Sequence, residues 1–143
     1  MWSPDQEVTP TVDIPLFFER YGWKFETVGP HTYRTGFRGN HDAFPVLVRV
    51  TQHWVVFTIN PLLRGDNGMG ATTLLTLAQS NHVSNFVKFG LDPEGDVFLT
   101  VELPVDGFTY VQFSDALRAI SHTADQFSVS LLQAQAIDRA QSN

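Results

Sequence analysis

The sequence predicts an α+β fold: an antiparallel sheet of five to six strands with an N-terminal helix, a middle helix and a long C-terminal helix. Segments of alternating polarity come in pairs joined by short turns, which marks antiparallel hairpins rather than parallel crossovers. One stretch of helical periodicity precedes the strands, one divides them and one follows, so the order is α-ββββ-α-ββ-α. The 143 residues, 43% hydrophobic and 17% charged, suffice to enclose one core, so residues 1–143 are expected to form a single domain. A flexible lead-in over about residues 1–10 and a frayed C-terminal end complete this expectation.

Each element has a local reason. Asp13 can cap a first helix in which Pro15 sits harmlessly in the first turn, Ile14, Phe17 and Tyr21 share a face, and Gly22 stops the turn. Residues 23–28 and 32–37 alternate around Gly29-Pro30 and read as a hairpin. The Val- and aromatic-rich segments 44–51 and 54–60 are separated only by Gln52-His53, so they form a second, central hairpin.

A glycine-rich loop, 64–70, then leads into a helix over 71–83, with Leu74, Leu77 and Ala78 at helical spacing. Segments 86–91 and 97–103 flank Asp92-Pro93-Glu94-Gly95-Asp96, where Pro93 presets a type I turn and Gly95 takes the left-handed position. Thr109 and Gln112 have capping-box spacing. Phe113, Leu117, Ile120, Ala124, Phe127, Leu131 and Ala134 follow in steps of four and three, predicting a long helix that packs on the sheet.

Charge and composition exclude several classes of function. A net charge of -6 gives no basic footprint for nucleic acid. No run approaches the ~20 apolar residues of a membrane span and no secretory leader pattern opens the chain, so a cytoplasmic protein with no membrane partner is expected. With no cysteine there is neither a disulfide nor a thiolate ligand. The 12 Phe, 3 Trp and 3 Tyr are more than usual; they build a large core, and the sharper possibility is that some rings serve an interface.

Possible sites fail on their chemistry. Residues 65–72 have the spacing Gly-x-x-x-x-Gly-x-Thr between a strand and a helix, but Ala71 stands where a phosphate-binding loop needs lysine. His31, His41, His53, His82 and His122 are scattered without ligand spacing. Asp92 to Asp96 lacks the alternating oxygens and distal glutamate of a calcium loop, so turn chemistry explains it better. Glu102 falls on the solvated side of its strand, and no nucleophile elbow occurs. No catalytic, cofactor-binding or metal-binding residue is assigned, and no cofactor is expected.

Leu74-Leu75-x-Leu77, Asn81, Lys88-Phe89-x-Leu91-Asp92-x-x-Gly95-Asp96-Val97 and Glu102-Leu103-Pro104 together resemble the YbjN-like family, described as sensory-transduction regulators. The resemblance implies a fold like that of type III secretion chaperones, frequent dimerisation and a role in protein binding or regulation. It brings no catalytic residue. A non-catalytic, chaperone-like or regulatory protein-binding module is therefore expected, homodimeric, with Phe127, Leu131 and Ala134 as the candidate dimer or partner surface. The alternative is a small-molecule sensor or enzyme using a pocket between the sheet and the C-terminal helix.

Overall fold

The computed structural model describes residues 12–67 and 69–142, so the expected lead-in at 1–10 lies outside the described residues. Three helices, α1 (Ile14–Tyr21), α2 (Ala71–Val83) and α3 (Tyr110–Gln141), accompany six strands. These are β1 (Glu26–Gly29), β2 (Thr32–Arg38), β3 (Ala43–Val50), β4 (Trp54–Leu63), β5 (Lys88–Leu91) and β6 (Val97–Pro104). All neighbours are antiparallel in the order β1-β2-β3-β4-β6-β5. The expected α+β architecture is the one found.

Local chemistry sets the helix ends. Asp13 Oδ1 accepts from the Leu16 N–H at 3.1 Å, and Gly22, at φ +90°, closes α1 by donating to the Phe18 carbonyl. Thr109 and Gln112 form the reciprocal capping box at the start of α3.

Strand alternation divides the sheet into two faces. Val46, Val48, Val55, Phe57, Ile59, Leu99 and Val101 point to the helix side and are fully buried or nearly so. There they meet Phe113, Leu117, Ile120 and Ala124 of α3, each without exposure. Phe113 is the hub of an aromatic network: its ring lies 5.0 Å from Phe18, 5.6 Å from Phe17 and 5.7 Å from Phe57 between centroids. Tyr21 and Tyr110 also pack on it, and the Arg20 guanidinium sits 4.1 Å over the Tyr110 ring. These rings attach α1 to the start of α3.

Two strands begin later than the sequence pattern suggests, each for a packing reason. Trp23 and Phe25 leave the β1 ladder to stack on Phe37 and Phe18. Phe86 takes φ +74°, and the Val87 N–H donates to the Asn85 carbonyl at 2.8 Å, a tight three-residue turn that delays β5 to Lys88. The C-terminal seam also differs from its expected role. Leu131 and Ala134 are buried inside the chain, and Phe127 is half-buried with its ring edge-on to Phe89 at 5.7 Å. A period of 3.5 records an apolar stripe, and here the chain's own sheet, loops and α2 cover that stripe.

In the β5–β6 turn the Gly95 N–H donates to the Asp92 carbonyl at 3.0 Å, Pro93 occupies the position after Asp92, and Gly95 has φ +83°. A Cβ at Gly95 would meet nothing within 4 Å, so the constraint is the backbone conformation alone. Gly95→Val is expected to cost about 1 kcal/mol or more, whereas Gly95→Asn, which tolerates the left-handed region, should cost less. Thermal unfolding of the two variants checks this, and equal melting temperatures would contradict it.

Candidate functional site

Helix α2 covers only part of its own hydrophobic pattern. The side chains it buries are Thr73, Leu77 and Ser80, while Leu74 (45% exposed), Leu75 (60%), Ala78 and Val83 (63%) face outward. The Leu74/Leu77/Ala78 spacing of the sequence thus marks a helix whose apolar side is only partly covered. Leaving three large aliphatic residues about half exposed on thirteen forgoes about half of the ~1.5–3 kcal/mol that full burial of each would give. Leu77 alone among its large aliphatic side chains is buried, so apolar burial is only part of what holds α2 in place.

The other part is polar. The N-cap Gly70 has no side chain to offer, and Asp138, near the end of α3, supplies the missing acceptor. Its carboxylate accepts from the N–H groups of Gly70 (2.9 Å), Thr72 (3.0 Å) and Thr73 (2.8 Å) and from the Thr73 hydroxyl (2.6 Å). Gly70 permits the approach, since a Cβ there would lie 2.8 Å from the carboxylate carbon. The Thr73 hydroxyl bond and the three N–H donors outweigh burial and hold the Asp138 carboxyl well below the usual carboxylate range. This is the place where a phosphate would sit in a nucleotide-binding loop. Here the chain's own anion occupies it.

The other end of α2 is held by β5. Lys88 Nζ donates to the carbonyls of Ser84 (2.7 Å) and Asn81 (3.2 Å), favourable charge placement at a helix C-terminus. The Asn81 side chain accepts from the Phe89 N–H at 2.7 Å and donates to the Phe89 carbonyl at 3.0 Å, pairing with the outer edge of the sheet as a neighbouring strand would.

A second surface is the sheet face turned away from the helices. Register aligns Arg34, Leu47, Thr58, Thr100 and Lys88 across it, and next to them Arg49, Val56 and Glu102. Trp54, 46% exposed, pairs with Pro104, and the Phe98 ring lies over Gly90, where a Cβ would come within 2.5 Å of it. Fourteen ring pairs absorb most of the aromatic surplus into the interior. Among the described residues, Trp54, Phe98 and Phe86 stand outside that network, and the first two share this face. Charge spacing around one carboxylate cluster has a simpler cause: Asp92 Oδ1 accepts from Glu94 and Asp96 N–H groups and Asp96 Oδ1 from Gly65, which is turn chemistry.

The geometry therefore offers two exposed surfaces, the apolar outer side of α2 and the mixed polar and apolar free face of the sheet, and between the end of β4 and α3 a cleft of about 280 Å³ lined by Leu62, Leu63, Ser128 and Leu132. A match over residues 13–132 to the family "YbjN: Putative bacterial sensory transduction regulator" shows that the chain belongs to that family. Three solved structures share its fold. Escherichia coli YbjN aligns at 20% identity with a TM-score of 0.57, covering 86% of this chain and 89% of that one. A chain of the heterodimeric ExoU–SpcU complex of the Pseudomonas aeruginosa type III secretion system gives 18% and 0.56, over 85% and 97%. The ExsC–ExsE complex gives 16% and 0.59, over 81% and 88%. Among curated proteins none matches significantly. No described helix is long and apolar enough to cross a membrane.

Asp138→Asn removes the charge and sets amide hydrogens against the α2 N–H groups, so the variant should melt below the wild type at neutral pH. The folded carboxyl titrates below the unfolded one, so its stabilisation is complete above about pH 4, the unfolded carboxylate value, and is lost as pH falls further toward the folded value. The gap in melting temperature between wild type and variant is expected to be constant from pH 7 to about 5 and to shrink below about 4. A gap that grows on acidification would contradict the clamp.

Proposed function

We propose that this protein is a non-catalytic protein-binding module, regulatory or chaperone-like, that works as a homodimer joined through α2. The observation that carries the reading is the partly uncovered α2, with Leu74, Leu75 and Val83 outside and only Leu77, beside Thr73 and Ser80, inside. Six such half-exposed aliphatic side chains, three from each subunit, would bury apolar surface worth about 5–10 kcal/mol, within the range of the cost of association. The two-fold arrangement is self-complementary, as a closed dimer requires. Its fold relatives include chains solved in complex with protein partners, which supports the same reading. The helix-free face of the sheet, around Leu47, Trp54 and Val56, remains to receive a client.

Two variants separate the surfaces. Leu75→Glu should halve the mass seen by light scattering while leaving circular dichroism and melting close to wild type, because the side chain is exposed in the single chain. Val56→Asp should keep the dimer mass and lose the partner recovered by site-specific crosslinking on the sheet face. A wild type that stays monomeric at high micromolar concentration refutes the dimer, and a crosslinked partner unaffected by Val56→Asp refutes the sheet face.

A further inference from the structure

One corner of the helix-free face departs from the charge of the rest of the molecule. The chain has 15 acidic residues against 9 cations, yet three of those cations, Lys24, Arg34 and Arg38, line a single cleft of about 650 Å³. Its floor is Gly36 opposite Pro45, two residues that leave the sheet without side-chain bulk there. Glu26 lies in the same cleft and is paired with Arg34. Among the described residues, neither Lys24 nor Arg38 forms an ion pair.

The cleft opens where the ladder between β1 and β2 ends. Glu26 pairs with Arg34, and beyond that point the Lys24 carbonyl is taken by the Thr35 hydroxyl at 2.7 Å. The two cations therefore flank exposed sheet surface. Two cations without an ion pair complement an anionic group at short range, where the acidic remainder of the molecule is screened beyond about 8–10 Å, and shallow apolar surface beside them favours a short peptide over a bare ion or a long polyanion.

We propose that this cleft selects the acidic segment of a partner protein, with carboxylates at Lys24 and Arg38 and apolar residues reaching toward Ala43 and Pro45. The inference rests on the protein-binding reading above and specifies the chemistry of the partner. Nucleic acid, also anionic, fits less well because so small a cationic cluster lies on an otherwise acidic molecule.

The probe is a fluorescein-labelled peptide of alternating glutamate and valine, titrated by anisotropy into the full chain, with an alternating lysine–valine peptide and single-stranded DNA of equal length as comparisons. The glutamate peptide is expected to bind, to weaken several-fold as salt rises, and to lose about tenfold in affinity with Arg38→Glu or Lys24→Glu. Circular dichroism confirms that both variants fold. Binding of the lysine peptide or DNA as tightly as the glutamate peptide, indifference to both substitutions, or no binding at millimolar peptide overturns the proposal. So does binding that appears only after residues 1–11 are deleted, since the chain's own Asp5 and Glu7 would then be the occupants. A crosslinked partner on the face at Val56 that carries no acidic segment overturns this inference and leaves the protein-binding reading standing.

Discussion

The position of α2 depends on one carboxylate. Asp138 sits 68 residues beyond Gly70 in the chain, yet it gathers three N–H groups and a hydroxyl at the start of a helix that has no cap of its own. An anion in that place is favoured by the N-terminal dipole and by charge-assisted hydrogen bonds. Together with Lys88 and Asn81 at the far end, it fixes the helix by polar contacts. Because those contacts help to hold α2, only Leu77 of its leucines enters the interior, and Leu74 and Leu75 are left on the surface.

The remainder of the fold is fixed in the opposite way, by rings and branched aliphatics. Phe113 joins α1, α3 and β4 through contacts with Phe17, Phe18 and Phe57, so the aromatic excess is spent chiefly on holding the N-terminal helix to the sheet. The sheet then has one face filled by this core and one face free. Division of labour follows from that asymmetry: the covered face gives stability, while the free face and α2 are available for contacts with other chains.

Legibility in the sequence tracked the range of the interaction. Asp13 with Gly22, Thr109 with Gln112, and Pro93 with Gly95 act within a few residues, so the sequence places those helix ends and that turn correctly. The boundaries of α2 were equally plain at Ala71 and Val83. Its orientation was not, because nothing local reveals that Asp138 would substitute for a missing cap. The same limit explains Leu131 and Ala134: their spacing announces an apolar stripe, but only tertiary structure decides whether the cover is the chain itself or a second copy. Gly36 opposite Pro45 gave no signal at all, since a cleft formed by absent side chains is visible only once β2 and β3 are in register.

The amide of Asn81, bonded to both backbone groups of Phe89, also bears on how these molecules can accumulate. A bare outer strand invites another sheet to join it, and repeated joining has no natural end, which is the route to filaments. With that margin sealed by a single side chain, growth by edge-to-edge polymerisation is blocked on the β5 side. Assembly through a helical surface related by two-fold symmetry, as proposed for α2, would in contrast terminate at two. The sealed β5 margin thus steers association away from the sheet edge and toward the exposed leucines of α2.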